Sequence, residues 1–466
     1  MQRYTPFRLT VLAFALGLAG CAVGPAYQRP ATPEPVAFKE LEGWVPAAPA
    51  DALERGPWWQ LFKDPVLDEL VASVEVSNQN VAAAAAAYAQ ARAIVAQQRA
   101  ALFPVVSLGV NGERAGVRSQ GADSNFRLNL GGSWEPDVWG RLRAGVTSAR
   151  AGLDASAADL ANARLSSQGE LAANYFTLRS LDTARALLVR TIAGYERELQ
   201  ITTNRFNVGI VARTDVLQAQ SQLASARGDE LGVVRQRAQF EHAIAVLTGR
   251  APAQFALAPR EDWTITVPEV PVGVPSTLLQ RRPDIAAAER DVAAANAEIG
   301  IARSAYFPNI GLSGALGTGG SRVGDLFSVS NAAWSFGLSA AQSIFNAGAT
   351  RASVAGAEAR HQATVARYRQ TVLNAFADVE DQLSATRVLV QQYALRREAS
   401  EAADLVEQQI MNRYKAGQVS YTEVVQAQVT ALNARRQLVQ AQADRQTVAV
   451  ALIQSLGGGW RAGAQP

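Results

Sequence analysis

The chain has 466 residues, a formal net charge of +3, 48% hydrophobic residues, 7% aromatic residues and 18% charged residues. The apolar content is mostly alanine and small aliphatics, and the charges nearly cancel, which excludes a disordered polar chain and a strongly basic nucleic-acid binder. Two histidines (His242, His361) and one cysteine (Cys21) leave almost nothing for a zinc, haem or iron–sulfur site, and no disulfide can form within one chain.

Residues 1–20 read as a secretory signal. Arg3 and Arg8 supply a positive start, Leu9 to Leu18 is a short apolar run, and small residues precede Cys21. The run is too short for a membrane-spanning helix. The quartet Leu18-Ala19-Gly20-Cys21 resembles the lipobox of bacterial lipoproteins, which implies a lipid on Cys21 as the mature N-terminus. Ala22, rather than Asp, favours the outer membrane by the same resemblance. Residues 21–65 are expected to be an N-terminal extended segment, lipidated as the resemblance implies, and are rich in proline and tryptophan (Pro25, Pro30, Pro33, Pro35, Trp44, Trp58, Trp59).

The remainder is written twice. Asn204-Arg205-Phe206-Asn207-Val208-Gly209 and Asn412-Arg413-Tyr414-Lys415-Ala416-Gly417 match at an offset of 208, as do Thr214-Asp215-Val216 and Thr422-Glu423-Val424. Leu102-Phe103-Pro104 matches Tyr306-Phe307-Pro308 at an offset of 204. The first repeat spans 66–250, the second 276–460, with a proline-rich linker at 251–275 and a tail at 461–466. Each repeat predicts a helix, a β-hairpin (104–137 and 308–346), a long helix, a tip turn (204–214 and 412–422) and a last helix. The predicted helices are 66–101, 141–204 and 214–247, then 283–305, 349–411 and 422–456. Residues 141–204 would span about 95 Å as one helix. Thr214 is the expected N-cap of its helix, and Gly249 lies just past its end.

The hairpins alternate with period two. Val106, Leu108 and Val110 interleave with Ser107, Gly109 and Asn111, and Trp334, Phe336 and Leu338 interleave with Ser335, Gly337 and Ser339. Each alternating stretch covers about nine to eleven residues, the length of a tilted strand that crosses a bilayer. Gly- and Ser-rich tips are expected at 112–124 and 317–330. One face is apolar and the other polar, as in an outer-membrane barrel with a wet lumen. The alternative, four half-buried strands of a soluble sheet, leaves unexplained the aromatics Phe103, Trp134, Trp139, Tyr306 and Phe307 near the strand ends. Four strands cannot close a barrel in lipid, where every edge must pair. Two chains would give eight strands and three would give twelve.

Several motifs together resemble the TolC-like outer-membrane efflux channels, and most closely their lipoprotein branch (NodT-like). They are Cys21, Arg282-Pro283-Asp284-Ile285, Ala294-Ala295-Asn296-Ala297 with Ile299-Gly300, Tyr306-Phe307-Pro308, and the twin Arg-Phe/Tyr-x-x-Gly turns followed by Thr-Asp/Glu-Val. The resemblance implies an α+β membrane protein. It would be a homotrimer whose twelve-stranded transmembrane β-barrel, four strands per chain, continues as a periplasmic α-helical coiled-coil barrel. It implies the exit duct of a tripartite pump that passes drugs or other small toxic compounds, with no enzymatic step and no cofactor beyond the lipid on Cys21. Partners would be a periplasmic adaptor and an inner-membrane transporter of the RND type, with no nucleic acid. A channel for protein or polysaccharide secretion, a metal-ion efflux channel and a non-pore periplasmic lipoprotein are the alternatives.

The same resemblance places a periplasmic gate at the tip turns. Thr214 and Asp215 match gate positions in the first turn, and Tyr414 matches the aromatic partner in the second. Val419 stands where the family has a basic partner, leaving Arg213, Arg413 and Gln418 as candidates to replace it. Glu423 matches a position that forms a ring of pore acids. Gly209 and Gly417 are the candidate adaptor contacts, where a glycine permits a left-handed turn.

Overall fold

The computed structural model describes residues 23–32, 35, 37–40, 57–117, 121–261, 263, 266–268 and 281–458. Cys21, the predicted signal segment 1–20 and the tail 461–466 lie outside the described residues. In chain order the elements are α1 (Pro65–Ser77), α2 (Gln79–Ala100), β1 (Val105–Val117), β2 (Gly121–Trp134), α3 (Arg141–Asn207) and α4 (Arg213–Leu247). Then follow α5 (Pro283–Ser304), β3 (Asn309–Gly320), β4 (Ala332–Ala341), α6 (Ala349–Lys415) and α7 (Tyr421–Ser455). Among the described residues no helix is long and apolar enough to cross a membrane. The chain divides into two compact units: residues 1–32, 86–157 and 287–370, and residues 33–85, 158–286 and 371–466.

The first unit carries the sheet. Its four strands are antiparallel in the order β1-β2-β3-β4, so β1 and β4 each keep one unpaired edge. The register aligns Leu108, Leu130, Leu316 and Trp334 in one row across all four strands. The neighbouring row, Ser107, Gly131, Ala315 and Ser335, points to the opposite face. The apolar row is exposed in the single chain, with Trp334 at 80%. The strands are longer than the alternation predicts, because β1 runs to Val117 and β3 to Gly320. The expected tip at 112–124 is therefore strand up to Val117 and again from Gly121, whereas in the expected tip at 317–330 only Gly317–Gly320 is strand. Glycine and serine do not end a strand while the ladder bonds of a partner continue past them. Short 3-10 turns at Val323–Phe327 and Val329–Asn331 complete the second hairpin.

The leader lies on this unit. The Asn296 amide donates to the Pro25 carbonyl at 3.0 Å, the Tyr27 hydroxyl bonds to the buried Glu289, and Gly24 meets Gly300 backbone to backbone. Trp139, stacked on Phe307 at 4.9 Å, donates its indole N–H to the Pro308 carbonyl at 2.7 Å.

The second unit shows why the repeats are repeats. α3 and α6 are both 67 residues long, and α4 and α7 are both 35. Each repeat closes where its last helix returns to its start. The Asn78 amide donates to the Leu247 carbonyl at 2.8 Å, and the Arg282 guanidinium donates to the Ser455 carbonyl at 3.4 Å. These pairs are related by the sequence offsets of 204 and 208.

Asn78 also breaks the helix predicted as continuous over 66–101. Its backbone is extended, and its side-chain oxygen accepts from the Asn80 and Val81 amides at 2.9 and 3.1 Å, capping α2. An asparagine that can serve as N-cap competes with uninterrupted helix.

A buried charged node holds the second unit together. Asp182, fully buried, accepts from Arg179 at 2.9 Å and from Arg237 at 2.6 Å. Asp64 caps α1 and accepts from the Tyr175 hydroxyl at 2.8 Å.

Gly249 (φ 69°) and Gly457 (φ 92°) sit at the two closures, and a Cβ on either would overlap the carbonyl oxygen of Ser77 or Arg281. Gly209 has a similar φ of 78° but open space around it. Alanine at 209 should cost only the left-handed backbone strain, about 1–2 kcal/mol. Alanine at 249 or 457 should cost more and lower the thermal unfolding midpoint further. Equal midpoints for Gly209→Ala and Gly249→Ala would refute this ranking.

Candidate functional site

The long helices stop at equivalent places. After α3 ends at Asn207, the Ile210 amide donates to the Arg205 carbonyl at 2.9 Å; after α6 ends at Lys415, the Gln418 amide donates to the Arg413 carbonyl at 2.9 Å. Gly209 and Gly417 supply the left-handed residue this closure needs, with φ of 78° and 74°. The chain then re-enters helix at Arg213 and at Tyr421.

The two helix starts differ. Ser420 and Glu423 form a reciprocal capping box, with the Ser420 amide donating to the Glu423 carboxylate at 3.2 Å. In the first repeat the N-cap is Ala212, which offers no side-chain cap. Thr214, expected as N-cap, lies inside the first turn instead. The Asp215 amide already bonds to the Ala212 carbonyl at 3.1 Å, which fixes the start two residues earlier. The Thr214 hydroxyl reaches the Asp215 carboxylate at 3.5 Å. Asp215 is half-buried in that turn, where the helix dipole favours a negative charge.

The interior of the tip is aromatic. Tyr414 is buried, with the Arg205 guanidinium 5.2 Å from its ring centroid and the Tyr421 ring at 5.4 Å. Val424 and Ala219 complete the cluster, and Val419 packs against it. The position that the resemblance makes basic is thus an apolar packing position here. The Tyr414 hydroxyl is buried without a hydrogen-bond partner among the described residues, so Asp215 and Tyr414 are not joined by one. The side chains of Arg213, Arg413 and Gln418 are exposed, and no hydrogen bond or ion pair reaches them among the described residues. The cation that does approach the tyrosine is Arg205, which sequence reasoning passed over. Its place in the repeated Asn-Arg-Phe/Tyr motif was visible, but not that it covers the aromatic of the other repeat.

A polar layer lies behind this cluster. The buried Gln428 amide donates to both Glu198 carboxylate oxygens at 2.7 Å, and the Gln222 amide donates to the Tyr195 hydroxyl at 3.0 Å. Burial pushes the Glu198 carboxyl above its ordinary range, and the Gln428 hydrogen bonds oppose that rise. Burial, with Glu198 nearby, pushes the Tyr421 phenol up. Toward solvent, the Gln218 amide donates to the Thr422 hydroxyl at 3.3 Å. The second repeat also carries an open groove of about 300 Å³, lined by Val406, Ile410, Glu423, Gln426 and Ala427. No group of three or more potential metal ligands occurs among the described residues.

An unpartnered hydroxyl predicts a small effect of its removal. Tyr414→Phe should leave unfolding stability within about 1 kcal/mol, because no net hydrogen bond is lost within the chain. Tyr414→Ala should cost about 3–5 kcal/mol through the cavity it leaves. Denaturant unfolding of both variants checks this, and a Phe variant as damaged as the Ala variant would contradict it.

Three comparisons place this geometry among known proteins. Residues 70–250 and 274–458 match a family described as outer membrane efflux protein. The chain is 33% identical over 463 residues to the probable efflux pump outer membrane protein TtgC of Pseudomonas putida, covering 97% of this chain and 95% of that protein. It is 32% identical over 474 residues to the pyoverdine export outer membrane protein OpmQ of the same species, covering 98% of each. Among solved structures it is similar to the open state of the Neisseria gonorrhoeae MtrE outer membrane channel. There the TM-score is 0.85 at 30% identity, covering 96% of this chain and 100% of that one.

Proposed function

The chain belongs to the outer membrane efflux protein family and is an outer-membrane efflux component, and we propose that three copies of it form the passive exit duct of a tripartite pump. The observation that carries this reading is the four-stranded sheet, with one exposed apolar face and two unpaired edges. A sheet of this kind is stable in lipid only when copies close it. Three copies give twelve strands, wide enough for an open lumen lined by the Ser107–Ser335 face. Cargo would be drugs or other small toxic compounds, delivered by an inner-membrane transporter of the RND type through a periplasmic adaptor. The duct needs no catalytic group and no cofactor. A covalent lipid on Cys21 would add a second hold on the membrane.

The tip turns are the proposed gate. Thr214 and Asp215 sit at the exposed start of α4 beside the Tyr414 cluster, and Gly209 and Gly417 present the turns that an adaptor would meet. Each contact at the tip is repeated in every copy, so terms of about 1 kcal/mol add to a closing bias of a few kcal/mol.

Planar-bilayer recording of the purified protein tests the gate. The wild type should give a small, fluctuating conductance, and Asp215→Ala should raise it; identical currents in the two proteins would remove Asp215 from the gate. Absence of current from both, in protein shown to be folded by circular dichroism, would favour a non-pore spacer. A separate test addresses the anchor: palmitate labelling in cells should disappear in Cys21→Ser, and labelling that persists would refute lipidation at that residue.

A further inference from the structure

A polar pocket of about 290 Å³ opens in the second unit, between α3, α6 and the end of α7. Pockets that hold drug-sized molecules are ordinarily lined mostly by apolar side chains. Here only Leu165 and Ala451 among the lining residues are apolar. The one cation in the pocket is spent. Arg282 donates through Nε and Nη2 to Asp284 at 3.0 and 2.7 Å, and through Nη1 to Asp378 at 3.0 Å and to the Ser455 carbonyl at 3.4 Å. Two carboxylates thus balance one guanidinium, and an anion would find no free positive charge. The other polar groups are unspent. Among the described residues no hydrogen-bond partner reaches the side chains of Asn162, Ser166 and Gln382 or the second oxygen of Asp378, and Gln454 uses only its N–H, toward the Leu165 carbonyl at 3.2 Å. Amides and hydroxyls both donate and accept, so this set suits neutral groups that do the same.

The helix faces tell which side the pocket opens on. Asp378 and Gln382 lie one turn apart on α6. Glu380 and Arg387 lie on the opposite face, about 180° around at 3.6 residues per turn. That opposite face carries the leader: the Lys39 and Glu40 amides donate to Glu380 at 2.7 and 2.9 Å, and Arg387 pairs with Glu40. On α3, Asn162 and Ser166 likewise lie opposite Tyr175 and Asp182. Tyr175 meets Asp64, and Asp182 accepts from the Arg260 amide of the linker at 3.1 Å. Leader and linker therefore dock on the side of the helices away from the pocket. In the proposed duct such added layers inside the wall would fill the bore, which sets them outside and turns the pocket inward.

We propose that this pocket is a weak binding site in the wall of the bore for neutral small molecules bearing hydroxyl and amide groups, read by Asn162, Ser166, Gln382 and Gln454. Arg282 is a positioning residue there, holding Asp378 at the rim. A site on a transport path must bind well enough to admit cargo and weakly enough to release it. The proposed location in the bore rests on the reading of the chain as a duct; the chemistry of the pocket does not.

The test uses the full chain, purified in a detergent without a sugar headgroup, and N-acetylglucosamine as probe, a neutral ring with hydroxyls and one amide. Saturation-transfer NMR should show binding with a dissociation constant of ~1 mM or weaker. Asn162→Ala with Gln382→Ala should weaken it at least about fivefold, as expected for two lost hydrogen bonds. Neither side chain bonds within the chain, so circular dichroism should be unchanged. Ser166→Trp, which fills the pocket without removing an internal contact, should abolish binding. Glucuronate, a ring of similar size with a carboxylate, should bind less than the neutral sugar. No binding to the wild type, equal binding to all three proteins, or glucuronate binding as tightly as the neutral sugar overturns the site. In planar bilayers the sugar should block the wild-type current more than the double variant's, each referred to its own sugar-free value. Equal block in both overturns the place of the site in the bore. Absence of current from both proteins, with binding intact, instead removes the duct reading and the location in the bore with it.

Discussion

Lipid offers no water to an unpaired strand edge, and β1 and β4 each leave one. The apolar row Leu108, Leu130, Leu316 and Trp334 makes the sheet unsuited to water, and the open edges make a single sheet unsuited to lipid. Only closure with further copies satisfies both constraints.

The duplication gives the two repeats one backbone, but their side chains have diverged along a physical line. The face sealed within the chain holds Tyr414, Tyr421 and the buried pair Glu198–Gln428. The corresponding positions of the second repeat hold Val406 and Glu423, which line an open groove. A seam formed during folding is never exposed for long and tolerates large aromatics. The buried carboxylate of Glu198 keeps its place because Gln428 donates to both of its oxygens; the valine at 406 needs no such support.

Much of this was legible in the sequence, because the dominant signals are periodic and doubled. The long helices, the four strands and the turns at Gly209 and Gly417 follow from alanine-rich runs, period-two alternation and the 208-residue offset. What the sequence hid depends on partners distant along the chain. Asn78 breaks a helix because Leu247 and the α2 amides are both within its reach. The first hairpin extends as strand to Val117 and Gly121 because each strand's partner continues the ladder. Thr214 gives up the N-cap position to Ala212, since hydrogen bonding of the turn sets the start before side-chain preference does. Arg205, in turn, could be assigned to Tyr414 only once α3 and α6 were seen side by side at the tip.

The strength of the contacts in the second unit is unevenly distributed, and this bears on how a duct can be both durable and gated. Arg179, Asp182 and Arg237 form a node in which the carboxylate is fully buried, so removing Asp182 strands the buried Arg179 guanidinium at a cost of about 3–5 kcal/mol. At the tip the polar contacts are exposed and long, Gln218 to Thr422 at 3.3 Å and Thr214 to Asp215 at 3.5 Å, each at the low end of about 0.5–1.5 kcal/mol. Elements that move are drawn from the least stable part of a fold. Under the proposed gating, an adaptor on the turns would need to favour the open form by only a few kcal/mol to shift the tip, while the same free energy spent on the node would leave it intact. The proposed gate can therefore be weak because the scaffold that carries it is not.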